Sequence, residues 1–165
     1  MTRSTRPNSN DPRPLAAQAW ERVTLLLVAA LAAVLSALAF GPHRIGDYFT
    51  ETDFYGAYAI GARAIQHGQL DATRYGVIGP VYELVLALVG ALTGDLLRAA
   101  ELISIVSMTA AVWLTTRLVA RLTDARIGCA TAAFLVVNPT LLQFGYSATT
   151  DALALALAAG ASVVA

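Results

Sequence analysis

The sequence has little charge and no lysine. Only 13% of its 165 residues are charged and all eleven basic residues are arginine, whereas a soluble domain averages about 25% charged. Formal net charge is +0, which gives no electrostatic pull toward nucleic acid. A single cysteine, Cys129, excludes an internal disulfide and a cysteine-based zinc cage. No G-x-G-x-x-G follows a strand pattern, and there is no Walker sequence and no G-x-S-x-G elbow. A nucleotide cofactor and an α/β-hydrolase triad are therefore not expected.

The sequence is instead rich in alanine, leucine and valine. Hydrophobic residues make up 57% of the chain and mean hydropathy is +0.62. The charges fall outside long apolar runs, so the bilayer is the expected solvent. Lipid leaves helices as the open choice for such runs, because every backbone polar group must be satisfied internally. The expected fold is an all-α, polytopic transmembrane protein with an external juxtamembrane helical segment.

Taken in order, residues 1–19 carry Arg3, Arg6, Arg13 and three prolines and read as a disordered cytoplasmic tail. A membrane module is expected over 20–165, with spans at about 22–40, 96–119, 127–144 and 151–165. Between them lie an external loop, 41–76, and a juxtamembrane or re-entrant helix, 77–92. Asn138-Pro139 breaks the third span late. The last run reaches Ala165 without a polar flank, and spanning helices normally end in interfacial residues. The chain is therefore expected to be a truncated protein or a fragment.

Topology turns on 77–92. If it spans, the arginines of the loop 117–126 lie outside, against the positive-inside rule. If it lies on the surface or re-enters, that loop shares the cytoplasm with the N-terminus. The second arrangement places a multi-pass protein in the cell membrane with Asp53 and Asp151 on one external face.

Polar chemistry gathers in Thr50–Gly68, TETDFYGAYAIGARAIQHG. A helix is expected from Phe54 to Gln66, with Gly68 as its stop. Thr50 and Asp53 have capping-box spacing. Asp53 is either a helix cap or a carboxylate able to take a proton from an attacking hydroxyl. Asp151, after Thr149-Thr150, carries the same two readings. Arg63, Arg74 and Arg98 are either interfacial anchors or forks for a phosphate. Arg98 and Glu101, three apart on a helix, can pair. Tyr75 and Tyr82 fit an aromatic belt. Glu83 stands in an apolar run, where an unpaired charge is costly.

The order of these features resembles a known family. Asp53, Tyr58, Ala62 and Gly68 form D-x4-Y-x3-A-x5-G after a first span. Gly79-Pro80 leads an apolar helix, Arg98 and Ser104 form R-x5-S, and NPTLLQFGYSATTDALAL ends with Thr-Asp at a helix start. Over residues 20–165 this is similar to the N-terminal half of the C-type integral-membrane glycosyltransferases, in the branch of the protein mannosyltransferases and lipid A aminoarabinose transferases. The resemblance implies sugar transfer from a polyprenyl-phosphate donor, outside the cytoplasm, to a hydroxyl of a glycan, lipid or protein. It implies Asp53 and Asp151 as catalytic acids, with a divalent metal ion nearby. Tyr58, Arg63, Arg74, Arg98 and Glu83 are the candidate substrate-binding residues. Part of a transporter and a non-catalytic structural membrane protein are the alternatives.

Overall fold

The computed structural model describes residues 13–41, 53–71, 73, 75 and 79–164. Among these residues there is no β-strand, and the chain is an all-α polytopic membrane protein. Helix α1 runs Arg13–Phe40. A π-helical turn, Phe54–Tyr58, leads directly into α2, Ala59–Gln66. Then follow α3 (Val81–Thr93), α4 (Leu96–Leu122), α5 (Ala125–Val136), α6 (Pro139–Tyr146) and α7 (Asp151–Val164).

Helices α1 and α4 are long and apolar enough to cross a membrane, and α5 with α6 forms a third candidate span bent by 67°. Asn138 makes the bend. Its side-chain oxygen accepts from the backbone N–H groups of Thr140 and Leu141 at 3.0 and 3.3 Å, capping α6 with Pro139 in the first turn. Helix α1 begins earlier than expected. Residues 13–19, read as disordered tail, are helical from Arg13, because a proline in the first turn costs no hydrogen bond and Leu15-Ala16-Ala17 favour helix.

Helices α1 and α4 are antiparallel. Arg117 near the end of α4 lies 3.5 Å from Glu21 near the start of α1. At the other end the Arg98 guanidinium sits over the Phe40 ring, 5.3 Å from its centre. Val28, Leu31, Leu35 and Ala39 recur every three or four residues and bury one stripe of α1 against Ile105, Met108 and Val112 of α4. Ala152 of α7 joins this cluster, and Gly160 faces Leu114 further along α4. Helix α7 therefore runs parallel to α4, and its first residue, Asp151, lies toward the Phe40–Arg98 end.

A second cluster forms at that end. Phe54, Tyr58, Ala59 and Ala62 pack with Tyr82, Leu86 and Ala87 of α3, Ala99, Ala100 and Ile103 of α4, and Ala148. Helix α3 has 13 residues, about 20 Å of rise against a hydrocarbon core of about 30 Å. Gly94, at φ 72°, ends it and turns the chain into α4. The side chain of Asp95 then accepts from the N–H groups of Leu97 and Arg98.

Candidate functional site

Asp53 and Asp151 line one pocket of about 200 Å³, together with Tyr58, Phe144, Ala148, Thr149 and Thr150. Two separate pieces of local structure bring them there. Asp53 heads the π-helical turn with helical backbone angles, φ −68° and ψ −32°, and its side chain makes no capping bond to that turn. Thr50, its expected capping-box partner, lies outside the described residues. A π turn carries one more residue than an α turn, re-aims the residues before it by about 100°, and is frequent at functional sites.

Asp151 opens α7 after the link Ser147–Thr150, and a buried bond holds that link. Ser104 Oγ on α4 donates to the Ser147 carbonyl at 2.6 Å. The Thr149 N–H donates to the same carbonyl at 2.9 Å. Both carboxylates are exposed to the pocket side of the fold, and among the described residues neither forms an ion pair.

A second pocket, of about 350 Å³, adjoins it and shares Tyr58 and Thr150 with it. Gly79, Val81 and Tyr82 form one wall, and Leu153, Ala154 and Leu157 of α7 form an apolar one. The Tyr82 and Thr149 hydroxyls are buried and have no hydrogen-bond partner among the described residues. Buried polar groups are nearly always paired; both oxygens are covered by neighbouring protein atoms and present almost no surface to the empty pocket. Tyr82 is only 4% exposed and meets Tyr58 edge to face, with ring centres 5.1 Å apart. It belongs to the core, not to a membrane-surface belt. Burial, and to a lesser degree the neighbouring Tyr58, pushes its hydroxyl above the ordinary tyrosine range, so it stays protonated and can donate.

Glu83 is 3% exposed. Its Oε2 accepts from the Tyr75 hydroxyl at 2.8 Å, and its carboxyl occupies the space where a Cβ on Gly61 would stand. It locks α3 against α2 behind Tyr58 and does not line the acid pocket. Arg63 is exposed on α2. Arg98 donates to Glu101 at 2.9 Å, the expected pair, and covers Phe40. Neither arginine lines the acid pocket, and Arg74 lies outside the described residues.

The structure thus gathers Asp53, Asp151 and Tyr58 and adds Tyr82, Thr149 and the Ser104–Ser147 bond, which the sequence reading missed. Thr149 was visible as part of Thr-Thr-Asp. Nothing in the spacing signals that the Tyr82 hydroxyl is buried.

Among the described residues no three His, Cys, Asp or Glu converge. Asp53 and Asp151 offer carboxylate oxygens to one pocket. That set suits a hard divalent cation whose remaining ligands come from substrate and water.

Helices, spans and pocket define a polytopic membrane protein with a carboxylate-lined site at one end of its helices. A model of the dolichyl-phosphate-mannose-protein mannosyltransferase family matches residues 78–164, more than half of the 165-residue chain, and the chain belongs to this family. Membership makes it a membrane glycosyltransferase in general class, with a lipid-linked sugar donor and a glycan or protein acceptor. No curated protein and no solved structure matches the chain.

Proposed function

We propose that the chain carries the catalytic pocket of an enzyme that moves a sugar from a polyprenyl-phosphate donor to an acceptor hydroxyl on the extracytoplasmic face. The observation that carries this reading is one pocket holding Asp53 and Asp151 beside a second, apolar-walled one that shares Tyr58 and Thr150 with it. A lipid-linked donor needs both halves: a polar chamber for the sugar and an apolar wall for the chain that carries it. The orientation rests on Arg117, Arg121 and Arg126. They lie at the end of α4 and start of α5, beside the start of α1 and away from the acid pocket, and the positive-inside rule puts that end in the cytoplasm.

In this mechanism Asp53 accepts the proton of the acceptor hydroxyl as its oxygen bonds to the anomeric carbon. The bond from that carbon to the phosphate oxygen breaks, and the electron pair leaves with the phosphate. Tyr82 and Thr149 donate hydrogen bonds to the charge that develops there, once the bound donor displaces the atoms that cover both hydroxyls. Leu153, Ala154 and Leu157 take the first isoprene units. Arg63, Arg74 and Arg98 are the candidate cations for the phosphate; Arg98, at the same end of the helices, would exchange Glu101 for it, and Arg74 lies outside the described residues. Asp53 and Asp151 would hold a divalent ion, whose charge would neutralise the donor phosphate.

The test is transfer of radiolabelled sugar in membranes containing the full-length protein, offered either polyprenyl-phosphate sugars or nucleotide sugars. Transfer from the lipid donor alone is expected. Transfer from a nucleotide sugar alone, or from neither, contradicts the proposal, and the second result returns the transporter and structural readings.

A further inference from the structure

A separate pocket of about 230 Å³ lies at the opposite end of the helices, between α1, α4 and α5. Glu21, Thr24 and Leu25 line it from α1, and Trp113, Thr116 and Arg117 from α4. The reaction proposed above does not use it.

Its polar groups sort by what remains available. The Thr24 hydroxyl donates to the Trp20 carbonyl at 3.0 Å, and that of Thr116 donates to the Trp113 carbonyl at 2.8 Å. Both hydroxyl protons are committed to their own helices. Arg117 and Glu21 are the charged groups in the lining. Their 3.5 Å separation is long for a charge-assisted bond, which runs about 2.7–2.9 Å. A guanidinium has five N–H donors, and one loose contact leaves most of them for another acceptor. The side chains are 42% and 56% exposed, so neither is sealed off.

We infer that this pocket binds the headgroup of a zwitterionic aminophospholipid, with its phosphate on Arg117 and its ammonium on Glu21. The charge pattern selects the headgroup. An anionic headgroup without an amine would bring its charge against the Glu21 carboxylate, whereas a phosphate with a tethered ammonium meets one opposite charge at each end. The walls select a lipid over a soluble zwitterion. Leu25 lines the pocket and is itself 56% exposed. The pocket therefore opens to the protein surface beside an apolar side chain of the span α1. Trp113, 40% exposed, is of the type that sits at headgroup depth, with an apolar ring and one N–H donor.

The test is lipid retention by the full-length protein, purified through micelles holding equal phosphatidylethanolamine and phosphatidylglycerol, with bound lipid measured by mass spectrometry. Phosphatidylethanolamine is expected to be retained selectively. Arg117→Ala and Glu21→Gln should each lower its retention about tenfold, the size of one lost charge-assisted bond. Arg121→Ala, outside the pocket, should not change it. Equal retention of the two lipids, preference for phosphatidylglycerol, or indifference to both substitutions overturns the inference. Displacement of the lipid by soluble phosphoethanolamine at equal concentration overturns the lipid as occupant. Glu21→Gln decides alone if Arg117→Ala does not fold.

Discussion

Ser104 and Ser147 are joined across 2.6 Å by a hydrogen bond from the hydroxyl of one to the backbone carbonyl of the other, and both residues are buried. Ser104 sits within α4. Ser147 begins the link that ends in Asp151. The bond therefore fixes one acid of the pocket to α4, a helix of 27 residues. Ser104→Ala removes the donor and leaves the carbonyl with its single local partner, Thr149 N–H. We expect a loss of about 1 kcal/mol of stability, seen as a melting point lower by roughly 2–4 °C in detergent. Transfer should fall further than this destabilisation alone explains. A transfer rate equal to wild type in the folded fraction would remove Ser104 from the account.

Tyr82→Phe should separate stability from function. The variant deletes a buried hydroxyl that has no partner among the described residues and keeps the ring packed on Tyr58. Removing an unpaired buried hydroxyl is expected to stabilise the unliganded protein by about 1 kcal/mol. The same change removes a donor meant for the donor lipid's phosphate, so its affinity should drop about tenfold. Thermal melting and the KM for donor measure the two sides. A variant that melts lower and binds donor normally would show the hydroxyl to be structural.

Gly61→Ala addresses the seam between α2 and α3. The new methyl would fall on the Glu83 carboxyl, which already accepts from Tyr75. The helices must part or the carboxyl must leave its place, at a cost of roughly 1–3 kcal/mol. A clear fall in melting temperature checks this. Gly56→Ala, where an added Cβ meets nothing within 4 Å, should leave stability near wild type.

Much of this architecture was legible because it rests on local rules. The apolar runs became α1 and α4, Asn138-Pro139 bent the third run, and Arg98 found Glu101. Gly68 closes α2 at φ 74°, where a residue with a Cβ would be strained. What escaped depends on contacts between distant segments. Tyr82 looks like a belt residue by its position beside an apolar run, yet α2 and α4 cover it. Glu83 looks like a stray charge until Gly61, from another helix, makes room for it. The π turn at Phe54–Tyr58 has no periodic signature over five residues, and it is the feature that sets the direction of Asp53. The start of α1 at Arg13 shows the reverse error, in which prolines and arginines masked a stretch of good helix formers.

The central claim is that Asp53 and Asp151 act on a common substrate from two helices. Sugar transfer by the full-length protein carrying Asp53→Asn, Asp151→Asn or both tests it most directly. The amide keeps the shape of each side chain and removes its basicity. Each single substitution should lower the rate by about 10²–10⁴-fold, with normal expression and folding. The double variant should lose much less than the product of the two, as residues working as a unit do. Wild-type transfer by Asp53→Asn, in a protein whose membranes otherwise turn over the polyprenyl donor, would contradict the account.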